Sequence, residues 1–234
     1  QAAGLYYELS EIMERENKDM IVNMLYVRSS LERANESRRE MEAVNVKLLK
    51  QSETDQMTGL ANRYRLNDYS DKVLDYCYEH RLPLAMEILD IDFFKQYNDN
   101  YGHQQGDECI IAIADELKKM EDRQTFCARY GGDEFIIIYA GISAEEVHAK
   151  AGALRQNIMN LKLEHLYSNA LPIVTISQGI SYGVPEEGNR SWDFLHTADM
   201  LLYQVKKRSR NDICIADIRG QELDLSSKQE KVEP

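Results

Sequence analysis

The sequence predicts an α/β (α+β) domain, one mixed sheet flanked by helices, preceded by an N-terminal coiled-coil helix. Three observations carry that expectation. From about residue 52 onward, apolar strand-like runs alternate with amphipathic segments. Before that point the apolar residues keep a heptad spacing. Within the domain, "RYGGDEFIIIYA" places Gly131, Gly132, Asp133 and Glu134 between two strands, a turn richer in acid than a hairpin needs.

Bulk properties bound the function. A chain of 234 residues with 43% hydrophobic content can bury one substantial core and carry an added segment. The net charge of -12 argues against nucleic acid as a partner, although a few local cations and a metal can still hold a nucleotide. Cys77, Cys109, Cys127 and Cys214 are scattered without a CxxC pair, which fits reduced, partly buried thiols of a cytoplasmic protein. No apolar run approaches the roughly 20 residues that span a bilayer, and no signal-peptide pattern is present. The chain begins with Gln1, which leaves room for an upstream sensor, and for a membrane anchor, in a longer protein.

The elements follow in order. Residues 1–51 contain no proline and only Gly4. Met20, Met24, Val27, Leu31, Ala34, Met41 and Leu48 alternate in four-three spacing once Arg38 and Asn45 count as polar seam positions. That pattern predicts a coiled coil of two or more chains, with a lone amphipathic helix as the alternative. Residues 14–19 break the seam upstream. In the domain over 52–220, helix is expected at 63–80, strand at 82–92 and helix at 104–120. Two strands then flank the glycines up to Ala140. Ser143 and Glu146 form a capping-box pattern at the head of a long helix over 143–166. An alternating strand over 173–183, a helix over 191–209 and a short strand over 212–217 follow, then a polar tail at 221–234.

Asp90 and Asp92 close the first strand. If that strand neighbours the hairpin, Asp90 and Asp133 meet at one end of the sheet. Close carboxylates raise each other's pKa and call for a cation. Hard oxygen ligands select Mg²⁺ or Mn²⁺. Gly131 and Gly132 permit positive φ and a close approach of ligand to backbone. Taken alone, the turn would read as an exposed acidic loop. Glu87 is out of place in an apolar strand and could face a partner, a free edge or a basic side chain.

"DQMTGLANR", "DIDFFKQYND", "YGHQQGD", "RYGGDEF", "TISQGIS" and "ADMLLYQVKKRSRN" occur in this order over residues 52–217. In these motifs the sequence closely resembles the GGDEF family, the diguanylate cyclases of bacteria. The resemblance implies a palm-like nucleotidyl-cyclase sheet and the condensation of two GTP into cyclic di-GMP with release of two pyrophosphates. It also implies a homodimer in which each protomer brings one GTP to facing active sites, with two Mg²⁺ (or Mn²⁺) per site. The heptad seam would then raise the local concentration of half-sites and set their angle. A catalytically silent receptor for GTP or cyclic di-GMP is the alternative, and a dimerising helix with a passive passenger domain is a third.

By the same resemblance, Asp90, Asp133 and the Ile91 carbonyl are metal ligands. Glu134 binds metal or accepts the proton of the attacking 3'-hydroxyl, and the catalytic set is Glu134, Asp133 and Lys95. Lys95, Lys206 and Arg210 match triphosphate contacts, and backbone N–H groups at Phe93 and Phe94 open a helix toward phosphate. The Phe93 ring itself reads as core. Asn98 and Asp107 match the pair that reads the donor edge of guanine, and a buried Asp107 would be left unpaired against adenine. His103 reads as a pocket or helix-start hydrogen-bonder, Gly132 as part of the substrate turn, and Gly102 and Gly106 as relief of crowding near the base. Asp92 is either a further site acid or a structural acid capping the next helix.

Two departures stand out. Many family members carry an inhibitory RxxD motif before the signature, but the corresponding positions here are Asp122 and Thr125, so product inhibition through that site is expected to be weak or absent. Val205 and Ser209 replace the usual Ala and Gly, and Ser209 could alter the turn that delivers Arg210.

Overall fold

The computed structural model describes residues 53–221 and 223, together with 18, 20, 24, 25, 27–42 and 44 of the N-terminal part. The chain divides into two compact units, Gln1–Ser52 and Glu53–Pro234. In the first, residues 27–42 form a continuous helix, α1. The seam residues Met20, Met24, Val27, Leu31 and Met41 are all exposed on the single chain. The seam positions Asn45 and Leu48, and most of the 14–19 break, lie outside the described residues. No helix among the described residues is long and apolar enough to cross a membrane.

The second unit is built on five strands: β1 (Leu84–Ile91), β2 (Thr125–Gly131), β3 (Glu134–Ala140), β4 (Ile176–Gly183) and β5 (Ile213–Asp217). Their spatial order is β2-β3-β1-β4-β5. Among these strands only the β4–β5 pairing is parallel, so the sheet is mixed. The helices are α2 (Arg63–His80), α3 (Phe94–Tyr101), α4 (His103–Met120), α5 (Ala144–Asn160) and α6 (Ser191–Arg208). Strand β1 lies at the centre and is covered on both faces, which is why it reads as a nearly continuous apolar run rather than an alternating one. Ala85 and Leu89 turn with Phe135 and Ile137 toward Ile113, Leu117, Val147 and Leu154 of α4 and α5. The alternate residues Leu84 and Met86 join Ile136 and Ile138 against Leu66 and Leu74 of α2 and Phe194 of α6. The four cysteines are buried.

Local chemistry sets the helix ends. Asn62 caps α2 by accepting a hydrogen bond from the Arg65 N–H. Ser143 and Glu146 close the expected capping box on α5. The far end of α5 corrects the sequence reading: the helix stops at Asn160 rather than running to residue 166. Lys162 takes φ 51, a left-handed step that no helix continues through, and Glu164 then bridges to Ile173. The apolar pattern persisted to Leu166 because Leu163 still packs on the core.

Glu87 resolves to none of the three expected surroundings. It is fully buried on β1, accepting hydrogen bonds from the Tyr139 hydroxyl (2.8 Å) and Gln178 Nε2 (2.6 Å). Burial, which those two hydrogen bonds only partly offset, pushes its carboxyl up to about 7.

Candidate active site

The register of β1 on β3 sets Asp90 directly across from Glu134, and Gly132 and Asp133 form the turn just beyond. The expected meeting of Asp90 with the Asp133 turn therefore follows from strand pairing. Gly132 adopts φ 56, and its carbonyl accepts two hydrogen bonds from the Arg129 guanidinium (3.1 and 2.8 Å). Asp90 is buried and raised to about 6, chiefly by burial, with the charges of Asp133 and Glu134 adding to the rise. Lys206, on the last turn of α6, opposes that rise with its Nζ 2.7 Å from Asp90 Oδ2. Glu134 is likewise raised, first by burial and then by Asp133. It opens onto a cavity on the α6 face of the sheet, lined also by Ile88, Trp192, His196 and Asp199.

Asp92 does not cap α3, whose N-cap is Phe93 with no side-chain hydrogen bond. Its carboxylate is instead fully buried and accepts from Thr175 Oγ1 (2.8 Å), Ser177 Oγ (2.6 Å) and the Asn211 N–H (2.9 Å). It is a structural acid that ties β1 to β4 and to the turn after α6. That turn places Arg210 (φ 52) and Asn211 (φ 45) in left-handed conformations. Ser209 stays at φ -138, and its hydroxyl bonds Asp212, so the turn forms without the glycine usual at that position. Arg155 holds the same turn from α5 by donating to the Asn211 carbonyl at 2.7 Å.

The Phe93 ring is not core. Phe93 is half-buried at φ 56, and its ring lies under the Arg210 guanidinium, 4.3 Å from centroid to Cζ. A bulky residue in the left-handed region is strained by about 1–2 kcal/mol and persists only where its neighbours hold it. Phe94, the next residue, is buried in the core as the first residue of α3. Lys95 is exposed on the same first turn.

One turn along α3, Asn98 Oδ1 is buried without a hydrogen-bond partner. The side chain lies against Gly106 so closely that a Cβ there would sit 1.8 Å from Oδ1. An orphaned acceptor facing a glycine is the kind of cradle a donor-bearing ligand completes. Asp107 is exposed, which corrects the expectation that it is buried. His103 is exposed on the first turn of α4.

Two residues with a clear role escaped the sequence reading. Arg129 links the signature turn to Asp55, Nη1 to Oδ1 at 3.1 Å. Burial raises the Asp55 carboxyl, but hydrogen bonds from Thr58 and Arg129 outweigh it and hold the group below its usual range. The segment that follows residue 52 is thereby fastened to the GGDE turn. An arginine in an otherwise apolar strand, two residues before the glycines, was the available signal.

A divalent cation fits the donor set. Asp90, Asp133, Glu134 and the Ile91 carbonyl offer hard oxygens at one sheet end, and Asp90 and Glu134 are held in a mutually unfavourable environment that a cation relieves. Among the described residues, no group of three or more His, Cys, Asp or Glu side chains is gathered closely enough to hold a metal ion by itself. Mg²⁺ commonly takes one or two carboxylates and completes its shell with water and substrate phosphates.

Comparison with known proteins identifies the family. A family model described as "Diguanylate cyclase, GGDEF domain" matches residues 52–212, and the chain belongs to the GGDEF family. It is 34% identical over 163 residues to the probable diguanylate cyclase DgcC of Escherichia coli, covering 68% of this chain and 42% of that protein. The chain thus spans less than half the length of the relatives it matches. Among solved structures, the GGDEF domain of DgcB from Caulobacter crescentus in complex with c-di-GMP superposes with a TM-score of 0.64 at 31% identity, covering 70% of this chain and 93% of that one. The coiled coil and GGDEF domain of the same protein give 0.65 at 27% identity, covering 81% and 99%.

Proposed function

We propose that this chain is a diguanylate cyclase half-site: two copies, each carrying one GTP, condense their substrates into cyclic di-GMP and release two pyrophosphates. The observation that carries the reading is the β1–β3 register, which sets Asp90 against Glu134 beside the Asp133 turn, with Lys206 reaching the same carboxylate. Asp90, Asp133, Glu134 and the Ile91 carbonyl would hold Mg²⁺, two ions per site. When bound, that cation supplies Lewis-acid stabilisation of charge on the attacking and leaving oxygens. Lys206 then gives up Asp90 for phosphate, and with Lys95 and Arg210 it binds the triphosphate. The Asn98 acceptor takes a guanine N–H, and Asp107 becomes covered by the base it reads. Glu134 would take the 3'-hydroxyl proton.

The helix α1 would pair through its exposed seam to bring two half-sites together, under control of a sensor upstream of Gln1. No nucleic acid enters this reading, and the domain would work in the cytoplasm, whether or not a longer protein is anchored to a membrane. Incubating the chain with GTP and Mg²⁺ at a series of protein concentrations tests it. The rate per chain is expected to rise with chain concentration. A rate per chain independent of concentration down to the lowest level, in a demonstrably monomeric protein, would contradict the half-site reading.

Two further outcomes follow from local geometry. Gly106→Ala is expected to lower Tm by a few degrees at most, because the added methyl, 1.8 Å from Asn98 Oδ1, 2.9 Å from its Cγ and 3.3 Å from Phe94 Cζ, forces Asn98 to swing away while alanine's preference for helix offsets part of the cost. It should nonetheless raise the KM for GTP about tenfold by displacing the Asn98 acceptor; an unchanged KM would remove Asn98 from the base pocket. The turn at Asp122 and Thr125 is already occupied by Lys150, whose Nζ lies 2.8 Å from Asp122 Oδ2 and 3.0 Å from Thr125 Oγ1. Added cyclic di-GMP is therefore expected to leave turnover uninhibited through this turn. Low-micromolar inhibition with pyrophosphate removed, abolished by Asp122→Ala, would show otherwise.

A further inference from the structure

We infer that His165, on the loop between α5 and β4, is a positioning residue for the phosphate-binding face: its imidazole fixes the Phe93 carbonyl, so that Phe93 keeps the left-handed backbone on which Arg210 rests. His165 is fully buried. Its Nε2 lies 3.2 Å from the Phe93 carbonyl oxygen, and since a carbonyl only accepts, Nε2 carries the proton. The other ring nitrogen, Nδ1, is buried without a hydrogen-bond partner, so the bond to Phe93 is the ring's one hydrogen bond among the described residues. Burial favours the neutral ring and lowers its pKa, with the Phe93 carbonyl pulling the other way.

The loop is built to deliver that ring. The His165 N–H donates to the Pro172 carbonyl at 3.0 Å, and Glu164 bridges to Ile173. The imidazole stands edge-on to Tyr97, 5.1 Å between centroids, and near Tyr101 at 6.3 Å, both on α3. The Tyr101 hydroxyl accepts from the Leu166 N–H at 3.1 Å, which locks loop and helix together.

On the far side of the loop contact sits Phe93 at φ 56. Its carbonyl accepts from two directions, the Tyr97 N–H of α3 at 3.0 Å and His165 Nε2. With the carbonyl pinned by these two donors and Asp92 pinned by Thr175 and Ser177, Phe93 cannot return to negative φ without breaking contacts on one side or the other. Such a return would also withdraw the ring from beneath the Arg210 guanidinium. A strained residue persists where its surroundings over-determine it, and such strain gathers at ligand-binding positions. His165 supplies one part of that determination from outside the helix, acting on the carbonyl. The hydrogen bonds on Asp92 fix the residue before, and Arg210, itself 3.8 Å from Asp92 Oδ1, covers the ring.

The inference rests on the nucleotide reading above for its binding readout. The experiment compares His165→Phe, which keeps the volume and removes the donor, with His165→Gln, which keeps a donor at the same reach. GTP and guanosine binding are measured by calorimetry with Mg²⁺, and crystals of the Phe variant are solved. His165→Phe is expected to bind GTP about fivefold more weakly, with guanosine changed by less than about twofold and His165→Gln restored to within about twofold of native. In the crystal, Phe93 is expected to have left the φ of 56 seen here. Equal losses for GTP and guanosine, or no rescue by Gln, would assign His165 to folding alone and overturn the proposal. A native chain that bound no GTP would count against the nucleotide reading instead. The Phe93 conformation in the variant would then decide His165 by itself, retention of positive φ overturning it.

Discussion

Asp90→Asn is expected to lower cyclic di-GMP formation by at least about 100-fold while shifting Tm by only a few degrees. Asp90 sits where burial and neighbouring acids already oppose its charge, and Lys206 offsets them in part. Asparagine keeps the shape and removes the charge that would hold a cation. Lys206 is not stranded by the change, because its side chain is 28% exposed and its ammonium can turn to water. Loss of activity with retained fold would separate the acid's chemistry from its structure. The converse, a large drop in Tm with activity surviving in the folded fraction, would make Asp90 a packing residue. Asp92→Asn is the natural control. Its carboxylate accepts three hydrogen bonds, so that substitution should cost stability first, measurable by denaturant unfolding.

The second large effect is on stability and concerns Glu87. A carboxyl raised to about 7 in the folded protein holds its proton more tightly there than in the unfolded chain. Its favourable contribution is therefore fully present below its ordinary pKa of 4.5 and is lost as pH rises to about 7. The loss amounts to roughly 3 kcal/mol, each tenfold difference in proton affinity between the two states being worth about 1.4 kcal/mol. Glu87→Gln removes the titration, and its amide can still accept from Gln178 and donate to the Tyr139 oxygen. The variant and native proteins are expected to melt at similar temperatures near pH 4.5. By pH 8 the variant should melt higher, by on the order of 5 °C or more. Melting curves across that range check this, and a gap that does not widen with pH would show that Glu87 is not the titrating group.

Much of the site was legible because its parts are local. The capping box at Ser143, the acid pair ending β1 and the glycines of the hairpin are readable from spacing alone. Bringing Asp90 to Glu134 needed one further step, the pairing of β1 with β3, which alternating strands made reasonable. What escaped depends on partners distant in sequence. Asp92 looks like a helix cap in a linear reading because α3 follows it, yet its partners are 83 and 85 residues away at Thr175 and Ser177. Phe93 reads as core because phenylalanine usually is; its positive φ is visible only in three dimensions. His165 was hidden inside an apolar pattern that outlasted its helix. Asp107, expected to be buried, is exposed near the start of α4, which a motif match does not reveal. The N-terminal seam has the required period on the residues described, and pairing of two such helices is a property of two chains.

The most direct test of the cyclase reading is GTP turnover with Mg²⁺, resolved by chromatography, for the native chain beside Glu134→Gln and Asp107→Ala. Cyclic di-GMP and two equivalents of pyrophosphate are expected from the native chain. Glu134→Gln should lose the product with GTP still bound, and Asp107→Ala should bind GTP more weakly. GTP bound by the native chain without product at any protein concentration, or product unchanged in Glu134→Gln, would contradict the cyclase reading.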